Sequence, residues 1–115
     1  MMYNFSEKGK YHSFLEIAML GLPSHYRIKT APDGAIVKIT IVGEAGGSWS
    51  IIRQNNTWEF TDLELEANTQ VYIDQNIAWM LLSKSIDIFE AEQYWQIIGD
   101  YELGFHALTL TASMA

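Results

Sequence analysis

Residues 43–60 read GEAGGSWSIIRQNNTWEF, and their alternation of large apolar with small or polar side chains predicts a β-hairpin. One strand covers residues 48–53, QNN forms the turn, and residues 57–60 return. If Arg53 pairs opposite Trp58, every second side chain of the hairpin lies on one face. That face then carries Trp49, Ile51, Arg53, Trp58 and Phe60.

Three more strands are predicted around the hairpin. Residues 36–42 place Val37, Ile39 and Ile41 on one face, and residues 69–73 form a fourth short strand. WQIIG at 95–99 predicts a fifth strand. The acidic stretch DLELEAN at 62–68 connects the third and fourth strands and is expected to be a solvated edge.

Helical patterns occupy the two ends of the chain. A first helix starts at Tyr11, after a polar segment 1–10 that is predicted to be flexible, and it ends at Gly21 and Pro23. The last helix starts after Asp100, which serves as its N-cap. The two apolar stripes comprise Tyr11, Phe14, Leu15, Ala18 and Leu22 in the first helix, and Leu103, Ala107, Leu110 and Met114 in the last.

Two further helices are predicted between the fourth and fifth strands. Asp74 caps a helix at about 75–84, which is apolar almost all round and is expected to be buried. Asp87, followed by Glu90, resembles a capping box for a helix at about 88–94. The element order is therefore helix, four-strand meander, two helices, short strand and helix. This order predicts one α+β domain, 1–115, with a mainly antiparallel sheet of about five strands covered by helices.

The composition excludes several classes of function. Fourteen acidic residues against seven basic ones give a net charge of -7, which disfavours nucleic acid and anionic membrane surfaces as partners. The chain has no cysteine, so disulfides, thiolate chemistry and zinc–thiolate sites are excluded. It shows no signal sequence and no apolar run of about 18 residues, and we expect a soluble cytoplasmic protein.

No catalytic or metal motif emerges from the remaining residues. His12 and Glu16 form an i,i+4 pair that is more typical of a surface contact than of metal ligands. GGSWS lacks the second glycine of a nucleophile elbow, and GEAGG precedes no helix, unlike a phosphate-binding loop. We expect its glycines, Gly43, Gly46 and Gly47, to supply positive φ angles in a tight loop. The sequence thus predicts no catalytic residue, no metal and no cofactor.

The large aromatic side chains carry the remaining functional signal. Core packing is the favoured interpretation of the tryptophans. The alternative is the wall of an apolar ligand cavity between sheet and helices, with Arg53 as its single polar anchor. The candidate ligand-binding residues are Trp49, Arg53, Trp58, Trp79 and Met80. In a third interpretation Arg53 stacks on Trp58 without a ligand, as a largely exposed pair whose loss barely changes stability.

Four stretches in order carry a family resemblance. They are FLEIAMLGLPSHYR (14–27), APDGAIVKITIVGEAGGSWSIIRQNNTWEF (31–60), VYIDQNIAWMLLSKSID (71–87) and IIGDYELGFHALTLTASMA (97–115). Together they resemble the C-terminal domain of mycothiol-dependent maleylpyruvate isomerase-like proteins. The resemblance implies a sterol-carrier-protein-2-like α+β fold, of which some relatives enclose an apolar lipid-binding tunnel.

The same resemblance implies that this chain does not carry the family's metal site. In the family this domain follows an N-terminal helical bundle of the DinB type, which carries the metal ligands, and the chain has no counterpart of it. The chain also has Met80 where the family often has a basic residue, and no arginine follows Arg53. These departures disfavour a role in binding an anionic substrate.

Three functional hypotheses follow. The leading one is a stand-alone, non-catalytic domain that binds a small apolar ligand or serves as the accessory domain of a DinB-like partner. The second is one piece of a split metal- and thiol-dependent isomerase or transferase. The third is a structural homodimer.

Overall fold

The central hairpin forms with the predicted register. In the computed structural model, which describes residues 8–62 and 66–112, strand β2 (Gly47–Gln54) pairs antiparallel with β3 (Thr57–Phe60). Arg53 lies opposite Trp58, as predicted. Asn55 and Asn56 both have positive φ angles, 52° and 64°, which is the geometry of a two-residue hairpin turn that follows the twist of the strands.

The other three strands complete a five-stranded sheet in the order β3-β2-β1-β4-β5. They are β1 (Ile36–Val42), β4 (Thr69–Asp74) and β5 (Trp95–Ile98). The predicted four-strand meander is wrong in its last step, because β4 pairs parallel with β1 and does not follow β3 at the edge. A central place suits β4, whose Val71 and Ile73 are buried, whereas the four residues of β3 include exposed positions typical of an edge. Residues 63–65 of the predicted acidic edge lie outside the described residues.

The first helix differs from its prediction at both ends. Helix α1 (Lys8–Met19) begins before Tyr11, so the segment predicted to be flexible contains the start of a helix, and residues 1–7 lie outside the described part. Pro23 does not end helical structure, because it lies in the first turn of a second helix, α2 (Leu22–His25). A proline is tolerated there, since the first N–H groups of a helix have no intrahelical acceptor. A 3-10 turn, Tyr26–Ile28, follows.

Helix α3 (Gln75–Leu82) forms as predicted. The Asp74 carboxylate accepts a hydrogen bond of 2.8 Å from the Asn76 backbone N–H and so caps the helix. Four apolar side chains of α3, Ile77, Ala78, Leu81 and Leu82, are buried in the chain's own core. They are consequently not available to form a dimer interface.

The helix predicted at 88–94 is wrong. Asp87 accepts backbone hydrogen bonds from Phe89 and Glu90, as a cap would, but only turns and a 3-10 helix (Glu92–Tyr94) follow. The chain must leave helical geometry by Trp95, where β5 begins to pair with β4.

The last helix is shorter than predicted. Helix α4 (Tyr101–Phe105) is capped by Asp100, as predicted, and continues as a 3-10 helix (His106–Thr109). Leu103, Ala107 and Leu110 are buried, which confirms most of the predicted stripe. Met114 lies outside the described residues.

The loop ahead of β2 needs glycine for two different reasons. Only Gly43 of its three glycines has a positive φ, +144°, so the expectation for Gly46 and Gly47 is wrong. Gly46 is required by space instead, because a Cβ atom there would lie 1.8 Å from the carbonyl oxygen of Ile41.

Candidate functional site

An apolar pocket lies between the helices and the sheet. It is lined by residues of α1, α2, β1, β4, α3 and the C-terminal segment 106–110. All of them are apolar: Met19, Leu22, Ile39, Ile41, Ile73, Ala78, Leu81, Leu82, Ala107, Leu108 and Leu110. The pocket is the place in the described chain where the inner face of the sheet meets three helices at once.

The pocket is nearly filled by its own walls. Its volume is about 10 Å³, close to the roughly 10–15 Å³ that one water molecule needs. Sites for small organic ligands measure roughly 300–1,000 Å³. A ligand can therefore enter only if some of the walls move apart.

The C-terminal segment 106–112 contributes one wall of the pocket through Ala107, Leu108 and Leu110. The Ala112 N–H donates to the Leu82 carbonyl at 3.0 Å, and the segment belongs to no strand. The Lys84 ammonium donates to the carbonyls of Thr109 and Leu110 at 2.9 and 3.4 Å. Such contacts can break and reform at lower cost than a strand ladder.

Two stacked histidines, His25 and His106, join the same segment to α2, and we call this pair the histidine clasp. The rings of His25 and His106 stack with centroids 4.0 Å apart and planes 7° from parallel. The Nε2 of His25 donates to the His106 carbonyl at 2.9 Å, and the Nε2 of His106 donates to the His25 carbonyl at 2.7 Å. A carbonyl oxygen only accepts, so both Nε2 atoms must carry a proton. The His25 Nε2 also lies 2.8 Å from the hydroxyl of Thr109.

The surroundings of His25 favour its neutral form. Burial lowers the pKa of His25 below its ordinary value, and the nearby His106, Lys84 and Arg27 lower it further. A hydrogen bond to the His106 backbone opposes these effects in part. Protonation of both stacked rings would place two positive charges about 4 Å apart, which is unfavourable.

We predict that acidification destabilises the fold through this clasp. A histidine with a lowered pKa in the folded state binds its proton more readily when unfolded, so its contribution is complete above the unfolded value of about 6.5. That contribution is lost as the pH falls from there through the lowered pKa of His25. Urea unfolding between pH 7.5 and pH 5 should show decreasing stability, with a smaller decrease in His25→Gln. A slope unchanged by His25→Gln would contradict the clasp.

The five predicted ligand-binding residues do not line this pocket. Trp49, Arg53 and Trp58 lie together on the inner face of β2 and β3, as predicted, whereas Trp79 and Met80 lie half-buried on α3. The Trp58 indole N–H donates to the Lys29 carbonyl at 3.0 Å, and the Trp49 indole donates to Glu16 at 2.9 Å. Both tryptophans thus connect the hairpin to the N-terminal helices. Their part in ligand binding stays a prediction.

Arg53 is more deeply buried than predicted. Its guanidinium lies 5.8 Å from the Trp58 ring centroid, so the stack forms, but Arg53 is only 7% exposed. The expectation of a largely exposed pair is therefore wrong. The reason is the segment after α2, which folds over the hairpin and which Trp58 anchors through Lys29. Within residues 8–62 and 66–112 no carboxylate pairs with this guanidinium.

We predict that Arg53→Ala destabilises the protein by about 1–2 kcal/mol. The change removes the cation–π contact and the packing of the aliphatic part of the side chain against Trp58. The measurement is the urea unfolding midpoint, and the matched control is Arg27→Ala, which removes an exposed guanidinium. Equal effects of the two substitutions would show that the burial of Arg53 contributes nothing.

The predicted surface pair forms on α1. His12 Nε2 lies 3.6 Å from the Glu16 carboxylate, and the other ring nitrogen contacts the Ala45 carbonyl at 3.2 Å. In the part of the chain that the structure describes, no three histidine or acidic side chains come close enough to hold a metal ion. No helix among the described residues is long and apolar enough to cross a membrane.

Sequence reasoning offered an apolar cavity between sheet and helices but placed it at other residues, and it missed the clasp. The pocket residues were recognised only as core stripes, because an apolar side chain that lines a pocket looks the same in sequence as one that packs. His25 and His106 are 81 positions apart, and neither has a partner at helical spacing. No pattern in one sequence could have joined them.

Several solved structures share this architecture, although no protein-family model and no curated protein sequence matches the chain. The sterol carrier protein 2 like 2 of Aedes aegypti superimposes with a TM-score of 0.58 at 9% identity, covering 84% of this chain and 94% of that one. The sterol carrier protein domain 2 of Helicoverpa armigera gives 0.53 at 18% identity, covering 92% and 87%. A UbiJ-SCP2 ubiquinone synthesis protein gives 0.51 at 14%, covering 84% and 96%. The chain therefore has the sterol-carrier-protein-2-like fold, as the resemblance implied.

Proposed function

We propose that this chain binds a small apolar ligand in the pocket between its sheet and its helices. The observation that carries this proposal is the lining: eleven residues from six parts of the chain converge, and all are apolar. The fold supports it, because the structures that share the architecture include proteins named as sterol carriers. A lining of this kind favours a hydrocarbon and offers nothing to a charged or sugar-like ligand.

Ligand entry requires the segment 106–112 to move away from α3. An acyl chain can follow the narrow space between Leu81, Leu108 and Ile41 as this wall separates, because each of its bonds rotates. A rigid ring system needs a wider opening at once. We therefore expect a long-chain fatty acid to bind more readily than a sterol.

A fluorescent fatty acid analogue tests the proposal. We expect saturable binding of one molecule per chain, reversed by unlabelled palmitate. Ala78→Leu adds three carbons inside the pocket and should weaken binding, whereas Ala31→Leu, outside the pocket lining, should not. Circular dichroism checks that both variants fold. Unsaturable binding, or equal binding by the two folded variants, would rule out the pocket.

Loosening the wall should speed ligand entry. We predict that Lys84→Gln, which replaces the ammonium that reaches the carbonyls of Thr109 and Leu110 by a shorter, neutral amide, raises the association rate several-fold. Lys38→Gln on β1 removes the same charge without touching this wall. Stopped-flow fluorescence measures both rates, and an unchanged rate in Lys84→Gln would mean that the segment does not control access.

A second candidate function is that of an accessory domain, as the maleylpyruvate isomerase-like resemblance suggests. One observation favours it: Ile17 on α1, Leu20 just after α1 and Ile28 after α2 are exposed large aliphatic side chains in the N-terminal part of the chain. A helical bundle of the DinB type is the partner that the resemblance implies, and through it a split isomerase or transferase. Co-expression with a DinB-like protein encoded beside this one should give a complex that Ile17→Asp weakens. No complex, or one indifferent to Ile17→Asp, would contradict this function.

A further inference from the structure

Four aromatic side chains form a surface patch beside the edge strand β5. Phe105 lies at its centre, with ring centroids at 5.5 Å from Phe89, 5.8 Å from Tyr101 and 6.1 Å from Trp95. The rings come from three parts of the chain, namely the turn after Asp87, β5 and α4. We call these four residues the C-terminal aromatic patch.

The patch is open to solvent and separate from the apolar pocket. Phe89 is 60% exposed and Tyr101 is 52% exposed, although Phe89 stacks on Phe105 and Tyr101 lies against it at a tilt. None of the four residues lines the pocket. Single exposed apolar side chains are ordinary on a protein surface, but adjacent exposed rings that pack on one another are typical of an interaction site.

The charged side chains of the C-terminal segment that contains the patch all have one sign. From residue 85 to residue 115 the sequence contains five acidic residues, Asp87, Glu90, Glu92, Asp100 and Glu102, and no lysine or arginine. Asp87 and Asp100 accept backbone hydrogen bonds and cap local turns. Glu90, Glu92 and Glu102 are exposed, and within the described ranges none of them has an ion-pair partner.

The exposed rings and the acidic side chains together determine which kind of partner can bind the patch. Carboxylates attract lysine and arginine, and the faces of aromatic rings attract the same cations. A second copy would bring the same acidic rim against this one and would be repelled, as would an anionic membrane. An apolar side chain next to the cation can cover Phe89 and Tyr101.

We propose that the C-terminal aromatic patch docks a cationic amphipathic segment of another protein, one that presents lysine or arginine beside an apolar side chain. The cations lie against Glu90, Glu102 and the ring faces, and the apolar side chains cover Phe89. The contact is independent of the pocket and of any ligand inside it.

A labelled peptide serves as the probe. A 14-residue helical peptide of leucine and lysine should bind the full chain saturably in fluorescence anisotropy, and 0.5 M salt should weaken it. The same peptide with glutamate in place of lysine should not bind. Phe89→Ser and the double variant Glu90→Lys, Glu102→Lys should each weaken binding at least tenfold.

The controls lie on other parts of the surface. Phe60→Ser alters an exposed phenylalanine on β3, at the opposite edge of the sheet, and Glu44→Lys with Glu59→Lys reverses two other exposed acids. These variants should bind the peptide within twofold of wild type. Absence of binding, equal losses in patch and control variants, or self-association that Phe89→Ser abolishes would overturn the proposal.

Discussion

Replacing Tyr26 with alanine is expected to lower the free energy of unfolding by about 3–5 kcal/mol, the range for removing a large buried ring. Tyr26 is fully buried, and its ring packs edge-on against Trp58 at 5.3 Å and His106 at 4.9 Å. It is therefore the contact between the hairpin and the histidine clasp. Against a total stability of about 5–15 kcal/mol, this loss should leave the variant partly unfolded at 37 °C.

The hydroxyl of Tyr26 accounts for part of that effect. It donates a hydrogen bond of 2.7 Å to the Leu103 carbonyl, and burial raises its pKa so that it stays protonated. Tyr26→Phe leaves the carbonyl without this donor and should cost about 1–2 kcal/mol. Thermal and urea unfolding measure both variants. Tyr101→Ala, at an exposed tyrosine, is the control, and a Tyr26→Ala loss no larger than the control would contradict this packing.

Two glycine-to-alanine substitutions should have opposite effects on stability. In Gly46→Ala the new methyl group would overlap the Ile41 carbonyl, so the loop must shift, at a cost of more than about 2 kcal/mol. Gly9 lies in α1 with no atom within 4 Å of the position of a Cβ. Gly9→Ala should therefore stabilise the helix by about 0.5–1 kcal/mol.

The difference between the two glycine variants is the test. Differential scanning calorimetry should show a lower Tm for Gly46→Ala and a Tm equal to or above that of wild type for Gly9→Ala. If both variants unfold at the wild-type temperature, the loop between β1 and β2 is not packed as described. Such a result would also contradict the close contact between Gly46 and the Ile41 carbonyl of β1.

The hairpin could be predicted from sequence because its determinants are local. Alternation sets the face of each side chain, and the two asparagines set the turn, so Arg53 opposite Trp58 follows from a few neighbouring residues. The parallel pairing of β1 with β4 joins two strands that are separated in sequence by the whole β2–β3 hairpin, and no local pattern encodes it. Local sequence patterns therefore predicted the strands but not their order in the sheet.

The candidate site could not be predicted in full, because it depends on contacts between residues that are far apart along the chain. Asp87 makes the hydrogen bonds of a helix cap, yet only turns and a short 3-10 helix follow before the chain enters β5 at Trp95. Arg53 was expected in a largely exposed pair, but its partner Trp58 is tied to the Lys29 carbonyl, a contact between residues that are far apart in sequence. The stacked histidines join α2 to the C-terminal segment by the same kind of long-range contact.

The pocket and the clasp form one unit. Ala107 and Leu108 line the pocket, and they directly follow His106, which the stacked ring of His25 holds in place. Movement of the segment 106–112 must therefore break the histidine hydrogen bonds or carry them along. Ligand entry and the protonation of His25 are consequently expected to act on the same wall.

Intermolecular NMR contacts test the central claim most directly. A ¹³C-labelled fatty acid is added to protein with labelled isoleucine and leucine methyl groups, and contacts between acyl chain and methyl groups are recorded. We predict contacts to Ile41, Leu81 and Leu108, with the largest shift changes in the segment 106–112. Contacts confined to exposed side chains such as Ile28, or no contacts at saturating fatty acid, would contradict an apolar ligand in this pocket.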